Sequence, residues 1–251
     1  MCIISLVYKL DSKYPILFGA NRDEFYERDA MQMHWWEDGN ILAGKDQQAG
    51  GTWFGINKKG HWASVTNIRY LPMHRKDAAS RGEIIPEFLN KEESTLMFLK
   101  ALKIKSEDYN PFNVFLYDGV DLFYFNNIHR VFRKLTPGLY TLSNAYLSSA
   151  WPKTKKLGEG TKRILANNNL EAEDFFKILA DKERAPKPEL PNTGVGEEME
   201  EMLSSVFIES PKYGTRCSTY MRIDKNEQLE VWEKTYVPQI DEDLCYFNLA
   251  K

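Results

Sequence analysis

A cysteine occupies the second position of the chain, directly after Met1. If Met1 is removed, Cys2 carries both a thiol and a free α-amine, whose reference pKa of about 7.7–8.0 leaves a useful neutral fraction near pH 7. That amine can take the thiol proton, so one residue supplies both the nucleophile and the base. The structural alternative is a small buried residue that opens the first strand.

A charged cluster, Asn21-Arg22-Asp23-Glu24, follows the second predicted strand. Residues 2–9 and 15–19 predict a pair of strands around a turn, so the cluster returns to the start of the chain. Asp23 then accepts a hydrogen bond from the α-ammonium group and orients it. Arg22 stabilises a thiolate or binds a substrate carboxylate. A surface ion-pair network is the alternative.

Other catalytic patterns fail for lack of the right spacing. The segment from Gly39 to Asp46 is one residue short of a P-loop, and Asp46 stands where a Ser or Thr would hold magnesium. The four histidines form no i,i+4 pair and the three cysteines form no CxxC pair, so zinc ligands are not spaced for a site. The sequence predicts no metal and no cofactor.

Composition narrows the class of protein. The chain has 251 residues, 43% of them hydrophobic, and a formal net charge of -3. This is globular composition, and the near-neutral charge argues against a nucleic-acid partner. No apolar run approaches the roughly 18 residues of a membrane span, and the short apolar start lacks the basic region and cleavage site of a signal peptide. The scattered cysteines indicate a reducing compartment, so we expect a cytoplasmic protein.

Hydrophobic periodicity predicts strands, helices, strands, helices and strands in that order. Most strands are joined as hairpins, which favours an antiparallel α+β fold over a doubly wound sheet or a TIM barrel. The predicted strands cover residues 2–9, 15–19, 52–56, 61–66, 113–117, 122–125, 131–132, 139–142, 215–224 and 228–236. The predicted helices cover about 84–89, 93–103, 152–167, 171–181 and 197–203.

Two finer predictions concern helices in the first half of the chain. Ser80-Arg-Gly-Glu83 has the spacing of a capping box, which predicts a helix start. In the next helix, the spacing of Leu96, Leu99, Ala101 and Leu102 predicts that these residues face a core.

The tetrapeptide Asn21–Glu24 is the signature of the NRDE family, also called the transport and Golgi organisation family, and the chain resembles that family along nearly its whole length. Further segments in family order are His34–Glu37, Leu42–Gly44, Ala49–Trp53, Thr66–Asn67, Ser80–Glu83, Leu142–Ala145, Trp151–Lys153, Thr193–Val195, Leu203–Ser205 and Tyr213–Arg216.

The resemblance implies a fold, because the family is distantly similar to the N-terminal-nucleophile (Ntn) hydrolases. The expected fold is a four-layer αββα sandwich of two antiparallel sheets between helices, in a single domain over residues 1–251. Choloylglycine hydrolases and penicillin V acylases also open with Met-Cys, and Asp23 matches an aspartate soon after their second strand. Their preceding arginine would fall near Ala20, whereas this chain has Arg22.

The same resemblance suggests roles for residues farther along the chain. Asn67 and Asn144 resemble asparagines that help to form the oxyanion hole, where neutral amide donors meet developing negative charge. Arg216 resembles a late-strand arginine near the nucleophile. At least one of the adjacent Trp35 and Trp36 is expected to line a pocket or lid for an apolar ligand. The structural alternative for each asparagine is a turn residue at a strand end, and for the tryptophans it is a packed loop anchor.

Three functional hypotheses follow, of which the third, a protein-interaction role in which the motifs only shape the fold, is the least favoured because the polar motifs are long and specific. In the first, Cys2 hydrolyses a non-peptide amide or related acyl bond of a small molecule through a thioester, without a metal or organic cofactor. In the second, suggested by links of family members to haem and acyl-lipid metabolism, the chain is a non-catalytic carrier. It then binds haem, an acyl-lipid or acyl-CoA, and His34 beside the tryptophans is the candidate haem ligand.

Overall fold

A computed structural model describes residues 2–237 and 243–249, and for Cys2 and Asp243 it describes the backbone. The chain divides into two compact units. The first unit combines the residues up to Glu27 with those from Pro137 onward, and the second unit is Arg28–Thr136. The single domain over residues 1–251 stays a prediction.

The described strands and helices follow in chain order. The strands are β1 (Cys2–Tyr8), β2 (Ile16–Phe25), β3 (Ala30–Trp35), β4 (Ile41–Asp46), β5 (Phe54–Asn57), β6 (Trp62–Asn67), β7 (Phe112–Tyr117), β8 (Leu122–Asn126), β9 (Val131–Lys134), β10 (Gly138–Leu142), β11 (Tyr213–Ile223), β12 (Leu229–Thr235) and β13 (Asp243–Leu249). The helices are α1 (Ile84–Leu89), α2 (Thr95–Lys105), α3 (Pro152–Ala166), α4 (Ala172–Leu179) and α5 (Glu197–Met202).

The first unit is built on a six-stranded antiparallel sheet in the order β10-β1-β2-β11-β12-β13. Helices α3 and α4 pack against one face of this sheet, where side chains from alternate strand positions form an apolar core. Tyr220 of β11 stacks on Phe175 of α4 with ring centroids 4.3 Å apart. The hydroxyls of Ser5 and Thr161 lie 2.7 Å apart and join β1 to α3. The helices therefore hold β1 and β2 from one side.

The second unit is a seven-stranded antiparallel meander in the order β3-β4-β5-β6-β7-β8-β9. Helices α1 and α2 contribute Ile85, Phe88 and Leu99 to a core with the alternate residues of β7 and β8. Two glycines pack without room for a side chain, since a Cβ on Gly51 would lie 2.5 Å from the carbonyl carbon of Gly82. This contact joins two of the family segments that the sequence contains.

The α+β class of two antiparallel sheets with helices is confirmed, and the predicted strand pairs 2–9 with 15–19 and 52–56 with 61–66 both form. Three strands were not predicted, namely β3, β4 and β13. Strand β4 covers most of the segment that ends at Asp46. The carboxylate of Asp46 caps the following turn by accepting from the amides of Gln48 and Ala49.

The predicted helix start after Ser80 is confirmed, because a 3-10 turn over Arg81–Glu83 leads directly into α1. The capping box itself is wrong, since the Ser80 side chain makes no capping hydrogen bond. The Glu83 carboxylate instead accepts a hydrogen bond of 2.6 Å from the Tyr109 hydroxyl, so a distant partner replaces the local one.

In α2, Leu99 and Leu102 are buried as predicted, but Leu96 and Ala101 are exposed. Within the described residues, no helix has both the length and the apolar character needed to cross a bilayer.

Candidate active site

The pairing of β1 with β2 brings the Asn21–Glu24 tetrapeptide to the start of the chain. In this antiparallel ladder the backbone of Cys2 is the register partner of Arg22, and Ile3 is that of Asn21. Neighbouring residues on a strand point to opposite faces, so Arg22 and Asp23 lie on different sides of the sheet. The predicted proximity of the tetrapeptide to the chain start is therefore confirmed at the level of the backbone.

The carboxylate of Asp23 is fully buried and held by a strand from the far end of the chain. Asp23 is 0% exposed, and its Oδ1 accepts a 2.7 Å hydrogen bond from the Thr215 hydroxyl. The Thr215 oxygen in turn accepts from the Ile208 amide at 2.9 Å. Because that amide supplies one hydrogen to the oxygen, the hydroxyl's own hydrogen points to Asp23.

Opposing effects act on the ionisation of Asp23. Burial raises the pKa of this carboxyl, because the charged form loses its hydration, and it outweighs the charge of Lys153 and the Thr215 hydrogen bond, which lower the pKa. Lys153 is itself only 2% exposed and lies in the first turn of α3. The first unit therefore buries two ionisable groups of opposite sign, Asp23 on β2 and Lys153 on α3.

Asn21 has a structural role that the sequence did not reveal. Its Nδ2 donates to the carbonyls of Leu179 and Val206, each at 2.9 Å, and its Oδ1 accepts from the Ser218 hydroxyl. These bonds join β2 to the end of α4, to the segment that leads to β11 and to β11 itself. Asn21 thus fixes the strand on which Asp23 is placed.

Arg22 lies on the other face of β2, and it is buried. Its register partners are Cys2 on β1 and Cys217 on β11. The related acylases would have their arginine near Ala20, two residues earlier. Since side-chain direction repeats every two residues in a strand, Ala20 and Arg22 share a face, and the offset leaves the side of the sheet unchanged.

Arg216 is the extra residue of a β-bulge. The ladder pairs Thr215 with Asp23 and Cys217 with Arg22, so Arg216 is inserted between two consecutive register pairs. Its buried guanidinium donates through Nη1 to the carbonyls of Phe25 and Tyr26, at 3.0 and 2.6 Å. These bonds hold the chain where β2 ends, so the observed role of Arg216 is to stabilise that strand end.

The two asparagines proposed for the oxyanion hole belong to different units. Asn144 is buried and lies two residues after Leu142, which pairs with Ile4 of β1. The Asn144 Oδ1 accepts from the Ser143 hydroxyl at 3.2 Å. Asn67 is the last residue of β6 in the second unit and is half-buried. Asn144 thus follows the strand next to that of Cys2, and the oxyanion roles of Asn144 and Asn67 both stay predictions.

Trp35, Trp36 and His34 also lie in the second unit. Trp36 packs against the core of that unit, and its Nε1 donates to the Ala43 carbonyl at 3.2 Å. Trp35 is 37% exposed, with the Lys58 ammonium 5.9 Å from its ring centroid. The His34 Nδ1 lies 2.7 Å from the Gln32 carbonyl oxygen. The packing of Trp36 is that of a loop anchor, and a pocket-lining role for Trp35 stays a prediction.

Sequence reasoning missed three residues around Asp23, namely Asn21, Lys153 and Thr215. Each belongs to a segment that resembles the family, so the signal was present, but nothing in the local sequence assigned the residue a role. The described part of the chain contains no cluster of three His, Cys, Asp or Glu side chains arranged to hold a metal ion.

The fold is that of the Ntn hydrolases. It is similar to the crystal structure of the C2A mutant of a conjugated bile acid hydrolase from Clostridium perfringens, with a TM-score of 0.55 and 12% sequence identity. The match covers 99% of this chain and 92% of that chain. The predicted Ntn-hydrolase-like fold is thereby confirmed.

The chain belongs to the Transport and Golgi organisation 2 family, whose model matches residues 1–238. It is 33% identical over 264 residues to the Transport and Golgi organization protein 2 homolog of Bos taurus. That alignment covers 94% of this chain and 93% of the relative. The human homolog is also 33% identical, over 274 residues that cover 99% of this chain and 96% of the relative. The family resemblance read from the sequence is confirmed.

Proposed function

We propose that this chain is an N-terminal cysteine hydrolase that cleaves a non-peptide amide or related acyl bond through a thioester. The observation that supports the proposal is the β1–β2 register, which sets Cys2 opposite Arg22 and one residue from the buried Asp23. Removal of Met1 leaves the α-amine of Cys2 at this strand end. The amine can then donate a hydrogen bond to the Asp23 carboxylate.

In the first step, the α-amine takes the thiol proton and the thiolate attacks the acyl carbon, forming a C–S bond. The negative charge that develops on the carbonyl oxygen is met by amide N–H donors, for which Asn144 is the proposed residue. The tetrahedral intermediate then collapses, and the C–N bond breaks. The leaving amine takes the proton from the α-ammonium group, and the acyl group stays on sulfur.

In the second step, the α-amine takes a proton from water, and the resulting hydroxide attacks the thioester carbon. The C–S bond breaks, the sulfur regains its proton, and the carboxylic acid leaves. Asp23 accepts a hydrogen bond from the α-ammonium group and orients it in both steps. Arg22 stabilises the thiolate or binds a substrate carboxylate.

The substrate class follows from this chemistry and from the structural relative. That relative's title names a conjugated bile acid hydrolase, and for this chain we propose only a small acyl amide or ester. A thiol nucleophile must stay reduced, so a reducing compartment such as the cytoplasm is part of the proposal. Asn67 as a second oxyanion donor and Trp35 as part of a ligand pocket remain predictions.

The first test is the intact mass of the untagged protein, which is expected to lack one methionine. The second is incubation with p-nitrophenyl acyl esters of graded chain length, followed by quenching and mass spectrometry. An acyl adduct is expected on the wild type and on Cys245→Ala, which removes a half-buried cysteine, and not on Cys2→Ala. A retained Met1, or an adduct that survives Cys2→Ala, would contradict the proposal and favour the non-catalytic carrier of haem or acyl groups.

A further inference from the structure

We propose that the outward side of α2 is a docking surface for an anionic phospholipid bilayer. This helix, Thr95–Lys105, belongs to the second unit, and its outward side combines exposed apolar side chains with lysines. None of its residues is part of the candidate active site, so the inference does not depend on the proposed hydrolase function.

The buried side of α2 fixes the orientation of the helix. Phe98, Leu99 and Leu102 pack in the core of the second unit. Thr95 is buried as well, and its hydroxyl donates to the Asp118 carboxylate at 2.8 Å. Successive residues of an α-helix are rotated by about 100°, so these four positions occupy one side of the helix. The residues on the opposite side therefore point away from the protein.

Apolar side chains occupy the outward positions of α2. Met97 and Ile104 are 56% and 77% exposed, and their separation of seven residues aligns them along the helix. Leu96 is also exposed, on the flank of the same side. A surface helix that only closes a core carries polar and charged residues opposite that core. The ridge formed by Met97 and Ile104 is therefore typical of a surface that a partner covers.

Lysines flank this apolar ridge. The helix contains no Asp or Glu, and Lys100 and Lys103 are both exposed. Within the described part of the chain neither of these two lysines forms an ion pair, whereas Lys105 pairs with Glu87 at 2.7 Å. Long lysine stems can lie along apolar tails while the ammonium groups reach the headgroups. Exposed apolar groups together with such cations are what an interfacial helix presents to anionic lipid.

A second segment with apolar and basic residues lies beside the end of α2. In the loop that follows β6, the side chains of Tyr70, Leu71 and Met73 are all exposed. The Arg75 guanidinium of this loop donates to the Glu107 carbonyl at 2.6 Å, two residues beyond the end of the helix. This bond fixes the loop next to the C-terminal end of α2. The exposed apolar groups of the second unit are therefore not confined to a single helix.

The charges favour a bilayer over a second copy of this chain. A symmetric contact through α2 would bring the lysines of two copies together, and the juxtaposition of like charges disfavours such a contact. A bilayer with anionic headgroups instead offers negative charge to Lys100 and Lys103 and apolar tails to Met97 and Ile104. The whole chain carries a formal net charge of -3, so the attraction is specific to this surface.

The first experiment is co-sedimentation with vesicles of phosphatidylcholine, alone or mixed three to one with phosphatidylglycerol. We expect the wild type to bind the anionic vesicles at least tenfold more tightly, and to lose this difference in about 1 M salt, where the screening length is about 3 Å. Lys100→Gln with Lys103→Gln is expected to weaken that binding about tenfold, because each lysine near an anionic surface contributes up to about fivefold.

The matched control for these charges is Lys155→Gln with Lys162→Gln. It removes two exposed lysines from α3 in the first unit, so the net charge of the protein changes by the same amount. This variant is expected to bind the anionic vesicles as the wild type does. Any loss that is common to both double variants would then reflect net charge and not the surface of α2.

The second experiment tests the apolar ridge. Ile104→Ser is expected to weaken binding to the anionic vesicles at least fivefold, because the side chain no longer buries apolar surface in the bilayer. Leu10→Ser removes an exposed apolar side chain from the first unit and is expected to leave binding unchanged. Both variants are expected to keep the urea midpoint of the wild type, because neither side chain is buried in a core.

Four results would overturn the inference. The first two are no binding of the wild type to the anionic vesicles and equal binding to both kinds of vesicle. The third is a Lys100 and Lys103 variant that binds as tightly as its α3 control. The fourth is a wild type that self-associates in sedimentation velocity and that Ile104→Ser makes monomeric, because the ridge would then be a contact between copies. The acyl-adduct assay decides the proposed function separately.

Discussion

Thr215 donates its hydroxyl hydrogen to the buried carboxylate of Asp23 over a distance of 2.7 Å, although the two residues are 192 positions apart in the chain. The bond crosses from β11 to β2, and the Ile208 amide fixes its direction. The family tetrapeptide therefore does not form the site alone. Its aspartate is oriented by β11, a strand that belongs to the last fifth of the chain.

Replacing Thr215 by Val keeps the shape and removes this donor. The buried Asp23 carboxylate then loses this hydrogen bond, and the Ile208 amide loses an acceptor. We expect a loss of about 2–3 kcal/mol in the free energy of unfolding, since each unsatisfied buried group costs about 1–3 kcal/mol. Thr215→Ser keeps the hydroxyl and is expected to lose less than about 1 kcal/mol. Urea unfolding would show this, and equal losses for Val and Ser would contradict the assigned bond.

Replacing Asn21 by Ala removes three buried hydrogen bonds at once. The carbonyls of Leu179 and Val206 lose this donor and the Ser218 hydroxyl loses this acceptor, so we expect a loss of about 2–4 kcal/mol in unfolding free energy. Asn169, whose side chain is exposed, provides the control, and Asn169→Ala is expected to stay within about 0.5 kcal/mol. A small effect at Asn21 would mean that the family signature begins with a residue of direct chemical function.

Replacing Gly51 by Ala forces a side chain against backbone. Its Cβ would lie 2.5 Å from the Gly82 carbonyl carbon, and backbone cannot rotate away as a side chain can. We expect a loss of about 2–3 kcal/mol, at the upper end of overpacking. The adjacent Gly50 has φ +71° and open space, so Gly50→Ala is expected to cost only the left-handed backbone, about 1 kcal/mol. Thermal unfolding of both variants compares them, and a reversed order would argue against the close contact.

The neighbouring tryptophans are expected to respond differently to truncation. Trp36→Ala removes a ring that packs on the core and a donor to the Ala43 carbonyl, so we expect a loss of about 2–4 kcal/mol. Trp35→Ala is expected to change stability by less than about 1 kcal/mol, because its ring is largely outside the core. If Trp35 lines a ligand site, its removal will weaken ligand binding without a change in the unfolding midpoint.

The sequence predicted the elements with strong local signals. Strands β1 and β2 are rich in branched and aromatic residues around a clear turn, so their pairing and the position of Asp23 were predictable. Strands β3 and β4 were not, because Ala30–Trp35 and Ile41–Asp46 mix glycine, charged and flexible residues that have little strand preference of their own. Their strand form comes from the neighbours with which they pair.

Of the site, the sequence could predict only the part that the pairing of β1 with β2 brings together. Asp23 was identified from its place after β2, but Thr215 and Lys153 come from β11 and α3, and no local pattern connects them to the carboxylate. The predicted capping box failed for the same reason. The Glu83 carboxylate accepts a hydrogen bond from Tyr109, which is distant in sequence.

The bulge at Arg216 divides β11 into two parts with different parity. Before it, Thr215 lies on the Asp23 side, and after it Cys217 pairs with Arg22, whereas an unbroken strand would point both the same way. The inserted residue changes no pairing on either side of it, because Thr215 still faces Asp23 and Tyr220 still pairs with Gly19 on the side of the apolar core. What it adds is Arg216 itself, whose guanidinium binds the carbonyls of Phe25 and Tyr26 at the end of β2. Deleting Arg216 would leave a regular strand that keeps both the core and the carboxylate pairing and loses the clamp on the end of β2.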